Sequence, residues 1–521
     1  MNDTRASSEG PKSGLLKSSG VVSLMTMLSR VLGLVRDMVI ANYFGASVSA
    51  DAFVLAFRIP NFFRRLFGEG AFSQAFIPVL SEYQAKRSKQ DVRDLVSRVS
   101  GTLGANLLLL TIVGVAGAPF VISLFAAGYV YTGEAEKLSM ATEMLRLTFP
   151  YVLLICMTAF AGSVLNSYGR FAVPAFTPVL LNGSLILCAI YLTPHMTTPV
   201  VALAWGVLIA GVVQLTFQLP FLAQQGMLVR PRVDFKDEGV KKVMVLILPA
   251  LFGVSVGQIN LLLDTVLASF LETGSLSWLY YSDRLLELPL ALFGITIATV
   301  ILPGLSRQHV GESGEFSKTL VWAIKMVFLM GVPASIALVV LSESLITTLF
   351  YQGKMTERDV LMASLSLSAY GVGLLGHMLV KVLAPGYFSR QDTSTPVRYG
   401  IIAMVSNMIL NLILIWHLKH AGLALATSLS AFLNAGLLWN GLRKAGVLKL
   451  GKGWVRFVAQ VFLASAVMLI FLVFASPAQD VWLDMDFWPR FGVMLAICAG
   501  GALVYGVCLL LTGVRLKEMV R

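Results

Sequence analysis

Apolar stretches of about 20 residues or more, separated by short polar connections, run along nearly the whole chain. A helix rises about 1.5 Å per residue and the hydrocarbon core of a bilayer is about 30 Å thick. Fourteen segments are long enough to cross it: 20–44, 48–81, 98–125, 142–165, 172–193, 199–222, 242–271, 276–305, 319–350, 361–387, 397–417, 421–441, 457–476 and 489–512. The pattern predicts an all-α polytopic membrane protein with about fourteen transmembrane helices. Residues 1–17 are polar and basic, without the apolar core and small-residue cleavage site of a removable leader, and are expected to be a cytoplasmic tail.

Composition agrees. Of 521 residues 57% are hydrophobic and 13% charged, and the mean hydropathy is +0.79, far from soluble-domain values. The net charge of +12 suggests a nucleic-acid partner only until it is placed along the chain. Basic residues gather after even-numbered spans (Lys86, Arg87, Lys89 and Arg93; Arg230, Arg232, Lys236, Lys241 and Lys242; Arg443, Lys444 and Lys449), whereas odd loops hold scattered cases such as Lys137, Lys354, Arg358, Lys419 and Arg490. By the positive-inside rule both termini and all even loops are cytoplasmic. The charge is therefore topological, no base-stacking aromatics accompany it, and no nucleic acid is expected. The four cysteines, Cys156, Cys188, Cys498 and Cys508, lie in apolar runs without ligand spacing and read as packing residues.

The chain also repeats itself. "RDMVIANYF" resembles "LDTVLASFL", pairing Asp37 with Asp264 at a separation of 227; "IPVLSEY" resembles "LPGLSRQ", pairing Pro78 with Pro303 at 225; and "NSYGRFAVP" resembles "FSRQDTSTP", pairing Pro174 with Pro396 at 222. The offset spans six helices, so the two halves share one orientation. The expected organisation is a tail (1–19), an N-lobe of helices 1–6 (20–224), a parallel C-lobe of helices 7–12 (225–445), and two extra C-terminal helices with a second tail (446–521). Paired lobes flanking a central cavity suit transport by alternating access.

Charge inside the first two spans needs its own explanation, because a charged group at the bilayer centre costs at least about 2.5–3.5 kcal/mol on insertion scales. Arg30, Arg36, Asp37, Asp51, Arg58, Arg64, Arg65 and Glu69 all lie there. At about 100° per residue, Arg30 shares a face with Asp37, and Arg58 with Asn61, Arg65 and Glu69, although Pro60, Gly68 and Gly70 favour a bend. Some of these charges can pair as structural bridges. Five arginines nevertheless exceed three carboxylates, and guanidiniums hold phosphate oxygens in paired, planar hydrogen bonds, so an anion such as a diphosphate is the expected guest. On span eight, Asp283, Arg284 and Glu287 occupy the repeat position of Arg58, and Arg284 and Glu287 are spaced to pair.

The run "MTMLSRVLGLVRDMVIANYFGAS…ADAF…NFFRRLFGEGAFSQAFIPVLSEY" resembles the signature of the MurJ (MviN) lipid II flippases, within the multidrug/oligosaccharidyl-lipid/polysaccharide (MOP) exporter superfamily. The likeness continues through "FPYVLLI", "LNSYGRFAVPAFTPVLLN", "SWLYYSDRLLELP" and "VLAPGYFSRQDTSTPV". It implies a fourteen-helix inner-membrane protein with a MOP-type fold. Such a protein turns lipid II, the undecaprenyl-diphosphate-linked peptidoglycan precursor, from the cytoplasmic to the periplasmic leaflet, as a monomer, in the company of membrane lipids and near cell-wall synthesis enzymes. The substrate-binding positions it implies are Arg30, Arg36, Asp37, Asp51, Asn61, Arg64, Arg65, Glu69, Arg284 and Glu287. Arg30, Arg36, Arg65 and Arg284 are expected on the diphosphate, while Asp51, Asn61 and Glu69 either bind sugar or peptide groups or latch a closed gate.

No nucleophile, general base or nucleotide loop is required, so no enzyme activity and no cofactor are expected; a coupling ion, sodium or proton, must supply free energy. Asp264 on span seven, Asn407 and Asn411 on span eleven and Thr427 on span twelve offer oxygen ligands for a small hard cation; alternatively Asp264 carries a proton or is hydrogen-bonded to the asparagines. His377 and Lys381 either line the cavity or pack and snorkel, and His195, His417 and His420 are expected at membrane interfaces. The competing functions are a flippase for another polyprenyl-diphosphate oligosaccharide and a drug or cation antiporter of the same fold. The arginine excess argues against the antiporter.

Overall fold

The computed structural model describes residues 11–66, 72–298, 301, 305, 313–451 and 453–514, all helical or in connections, with no strand among them. Every apolar segment read from the sequence carries helix. The first half contains α1 (Pro11–Phe44), α2 (Val48–Phe63), α3 (Phe72–Lys86), α4 (Lys89–Ala116), α5 (Ala118–Phe125), α6 (Ala127–Tyr131), α7 (Ala135–Thr148), α8 (Tyr151–Ser167), α9 (Ala172–Leu187) and α10 (Val201–Gln224). The second contains α11 (Glu238–Ala268), α12 (Ser275–Pro289), α13 (Ser313–Val340), α14 (Ser342–Phe350), α15 (Glu357–Phe388) and α16 (Ser394–Lys444), followed by α17 (Trp454–Ala475), α18 (Gln479–Asp484) and α19 (Phe487–Leu511). Among the described residues, nine helices are individually long and apolar enough to cross a membrane. The protein is a multi-pass membrane protein.

The chain divides into two units. The first comprises 1–40, 55–124 and 133–258, the second 41–54, 125–132 and 259–521. In the first, α8 packs on α3, α4 and α10, and α9 on α10. Lipid tails are as apolar as leucine, so helices associate through close packing. Gly101 lets the backbone of Arg232 cross α4, since a Cβ there would stand 2.3 Å from it. That crossing is tied by Arg232 N–H to the Ser97 carbonyl at 2.9 Å and by Asp234 N–H to Thr102 Oγ1 at 3.0 Å.

In the second unit, α15 packs on α12, α13 and α16, and α17 on α13 and α19. The long helix α16 is two antiparallel spans meeting at Lys419, whose φ of 50° is left-handed; Ser430 donates to the Ala403 carbonyl across the pair at 2.7 Å. Both α4 and α15 open on the Ser/Thr-x-x-Asp pattern, and Ser88 with Asp91, and Thr356 with Asp359, exchange reciprocal hydrogen bonds, satisfying amides that the first helical turn leaves without partners.

Most of the basic residues that break the topological charge pattern turn out to be occupied locally. Lys137 pairs with Glu134, and Arg358 and Lys419 both reach Glu272; the hydrogen bond from Lys419 holds the Glu272 carboxyl below its ordinary range. Arg490 is 4% exposed and donates from Nη1 to the carbonyls of Thr347 at 2.9 Å and Tyr351 at 3.0 Å, with Nη2 reaching Met485 and Leu483. It therefore joins α19 to the carbonyl ends of α14 and α18. Replacement by methionine leaves those buried acceptors unmet, at a cost on the order of 3 kcal/mol; the variant should unfold in detergent at a temperature several degrees lower, and an unchanged transition would refute this role.

Candidate functional site

A guanidinium in apolar surroundings must be oriented and solvated by protein groups, and the helices around α1 do this for Arg36. Arg36 is 6% and Asp37 0% exposed. Arg36 donates from Nε and Nη2 to Asp37 Oδ1 at 2.9 and 2.7 Å, and from Nη1 to Asn182 Oδ1 of α9 at 2.9 Å. Asn182 in turn donates to the Ser29 carbonyl at 2.8 Å. One α-helical turn past Asn61, Arg64 donates from Nε to Asn61 Oδ1 at 2.7 Å. An amide oxygen fixes the direction of a guanidinium without carrying an opposite charge. Arg30, Arg58 and Arg65 are each partly exposed, and Glu69 lies outside the described residues.

Asp51 has a different setting. Gly274, the residue before α12, has a φ of 98° and no side chain to cap the helix, and a Cβ there would collide with the Trp278 ring at 2.6 Å, so only glycine fits. Asp51 caps the helix from outside: Oδ2 accepts from Gly274 N–H at 2.6 Å, and Oδ1 from Ser277 N–H at 2.9 Å and Ser277 Oγ at 2.6 Å. Its negative charge also opposes the positive end of the helix dipole. Nearby, Tyr281 donates to the Gly45 carbonyl at 2.8 Å. On α12, Arg284 donates to Glu287 Oε2 at 2.9 Å and lies over the Tyr280 ring at 4.9 Å.

The four residues read as cation ligands come together in the second unit. Asn411 donates through Nδ2 to Asp264 Oδ1 at 2.7 Å and to Asn407 Oδ1 at 2.6 Å, and Asn407 donates to Thr427 Oγ1 at 3.2 Å. Both asparagines are fully buried, and among the described residues Asn411 Oδ1 has no hydrogen-bond partner. Outside this group, His195 and His417 are exposed. His420, expected at an interface, is instead 2% exposed, its ring 4.9 Å from that of Trp278 and Nε2 2.9 Å from the Met362 carbonyl. Turning back at Lys419 brings it under α15.

Sequence reasoning passed over Asn182, Ser277, Gln214 and Gln218. The signal for three of them was available: an amide inside an apolar span raises the same question as a charge, only more weakly. Ser277 carried no such signal.

The Asp51 cap generates a direct test. Asp51→Ala should destabilise the folded protein by about 1–3 kcal/mol, with Asp51→Asn intermediate, as read from thermal unfolding without any ligand. Equal stability of all three proteins would show that the carboxylate does not hold α12.

The MurJ family, described as lipid II flippase MurJ, matches residues 40–491. The chain is 53% identical to the "Probable lipid II flippase MurJ" of Vibrio cholerae over 97% of each protein. It is 41% identical to the "Lipid II flippase MurJ" of Burkholderia cenocepacia over 94% of this chain and 96% of that one. Among solved structures, a lipid II flippase MurJ in an inward closed conformation superimposes with a TM-score of 0.80 at 27% identity, covering 96% of this chain and 99% of that chain. An inward-facing multidrug resistance MATE transporter of the MOP superfamily matches with a TM-score of 0.66 at 16% identity, over 82% of this chain and 98% of that chain, a likeness of fold alone.

Proposed function

Because the chain belongs to the MurJ family of lipid II flippases, we propose that it carries lipid II from the cytoplasmic to the periplasmic leaflet by alternating access, with both its termini cytoplasmic. The observation that carries the assignment of residues is the charge count of the first two spans, five arginines against three carboxylates. One of those carboxylates, Asp51, already caps α12 with both oxygens. Arg30, Arg36, Arg64, Arg65 and Arg284 would hold the diphosphate, for which planar, permanently charged guanidiniums are suited. Asp51 would act as the latch of a closed state and not as a ligand, and Asp37 and Asn61 would aim Arg36 and Arg64. Glu287 would keep Arg284 extended along α12. No covalent bond is made or broken, so the protein is a transporter and not an enzyme.

On this reading Arg30→Ala, Arg65→Ala and Arg284→Ala each abolish delivery of lipid II, scored from outside with a membrane-impermeant probe, while the variants remain folded in the membrane. Normal delivery by all three would contradict it.

The coupling ion is assigned to Asp264, Asn407, Asn411 and Thr427. Two oxygens, Asp264 Oδ1 and Asn407 Oδ1, are held together by the single Asn411 amino group, while the buried Asn411 oxygen is unmet. Turning that carboxamide by 180° would bring three oxygens toward one point, an arrangement that a cation makes favourable, and oxygen-only ligation suits a small hard monovalent ion. The group present therefore fits sodium. Transport should rise with sodium at constant ionic strength, and Asp264→Asn should remove that dependence. Transport indifferent to sodium in the parent protein would end the assignment.

A further inference from the structure

A second polar feature of the first unit is not used by any step above. Between α8, α9 and α10 lies a cavity of about 240 Å³ with Arg64 on its wall, far larger than the roughly 10–15 Å³ that one water needs. Two glutamines four residues apart on α10, Gln214 and Gln218, line it, and each is only 1% exposed. Gln214 Nε2 donates to the Thr177 carbonyl at 2.8 Å, and among the described residues neither its Oε1 nor that of Gln218 has a hydrogen-bond partner. Three of the hydroxyls on its wall are engaged elsewhere. Thr158 donates to the Leu154 carbonyl, Thr177 to the Pro174 carbonyl and Ser163 to the Ala159 carbonyl, each at 2.8–2.9 Å.

Two buried carbonyl-type oxygens select for their occupant. A phosphate would be repelled by them, and an apolar chain would leave both unsatisfied at about 1–3 kcal/mol each. They call for a neutral group rich in N–H and O–H donors. The cavity wall includes Arg64, assigned above to the diphosphate, so the group in question is the one bonded next to it. We propose that this cavity receives an acetamido-bearing sugar attached to the diphosphate, its amide N–H and hydroxyls donating to Gln218 Oε1 and Gln214 Oε1. The proposal rests on the lipid II assignment, and it adds recognition of the sugar by a place separate from the arginines. Diphosphate binding and sugar selection would then be separable by mutation.

The test uses the full-length protein in detergent and three ligands: undecaprenyl diphosphate, the same lipid carrying one N-acetylated sugar, and its counterpart carrying a sugar without the acetamido group. The parent should bind the acetamido-sugar lipid about tenfold more tightly than the bare diphosphate, as expected for one or two buried hydrogen bonds, with the third ligand between them. Gln218→Leu removes an acceptor at nearly constant volume, and Ala159→Phe fills the cavity from the opposite helix. Both should lose the tenfold preference while binding undecaprenyl diphosphate as the parent does, which also certifies their fold. A preference retained in both variants, or absent from the parent, would overturn the proposal and leave the cavity to water. A parent that binds none of the three lipids would instead overturn the diphosphate assignment, and this inference with it.

Discussion

The dominant constraint on this molecule is that charge and hydrogen-bonding capacity carried into an apolar slab must be met by the protein itself. Each buried ionic group described above is met by a specific device. Arg36 is gripped by the adjacent carboxylate and by an amide from α9, Asp51 by the N-terminus of α12, and Arg490 by helix-terminal carbonyls. The devices have different consequences. Arg490, on a ring of neutral acceptors, is a fastening; Asp51, spent on donors, caps a helix; the arginines of the first two spans outnumber the carboxylates there, which is the basis on which an anion is proposed as their guest.

The internal repeat places comparable residues in the two halves. Each half places an aspartate on its first long helix and asparagine on its fifth. In the second half Asn411 touches Asp264 directly; in the first, the guanidinium of Arg36 stands between Asp37 and Asn182, bonded to both. A guanidinium thus stands, in one half, where the other half has a direct amide–carboxylate hydrogen bond. On the proposed function, one duplicated scaffold would offer a fixed positive charge to a substrate on one side and a pair of amides to an ion on the other.

Much of this was legible beforehand, for physical reasons. Length and apolarity dictate helices in a bilayer because every backbone group must be bonded internally, so the fourteen apolar segments all carry helix. The odd spacing of charges marked α1, α2 and α12, and the oxygens of Asp264, Asn407, Asn411 and Thr427 were grouped before their contacts were known. What escaped was relational. That Asp51 caps α12 depends on Gly274 having no side chain and a left-handed φ, which a sequence does not announce. That His420 is buried under α15 depends on the chain reversing at Lys419, a residue type with no preference for positive φ. Residues 41–54 group by their contacts with 259–521, and the Asp51 cap ties them to α12.

Guanidiniums within the spans are proposed to select a lipid by its diphosphate. Affinity of the purified protein for undecaprenyl diphosphate, undecaprenyl monophosphate and undecaprenol, measured side by side at one salt concentration, addresses it without any transport assay. Two phosphates should bind more tightly than one, and one more tightly than none, with the differences shrinking as salt rises. Equal affinity for the three lipids would show that the protein grips the isoprenoid chain and that the buried arginines serve some other end.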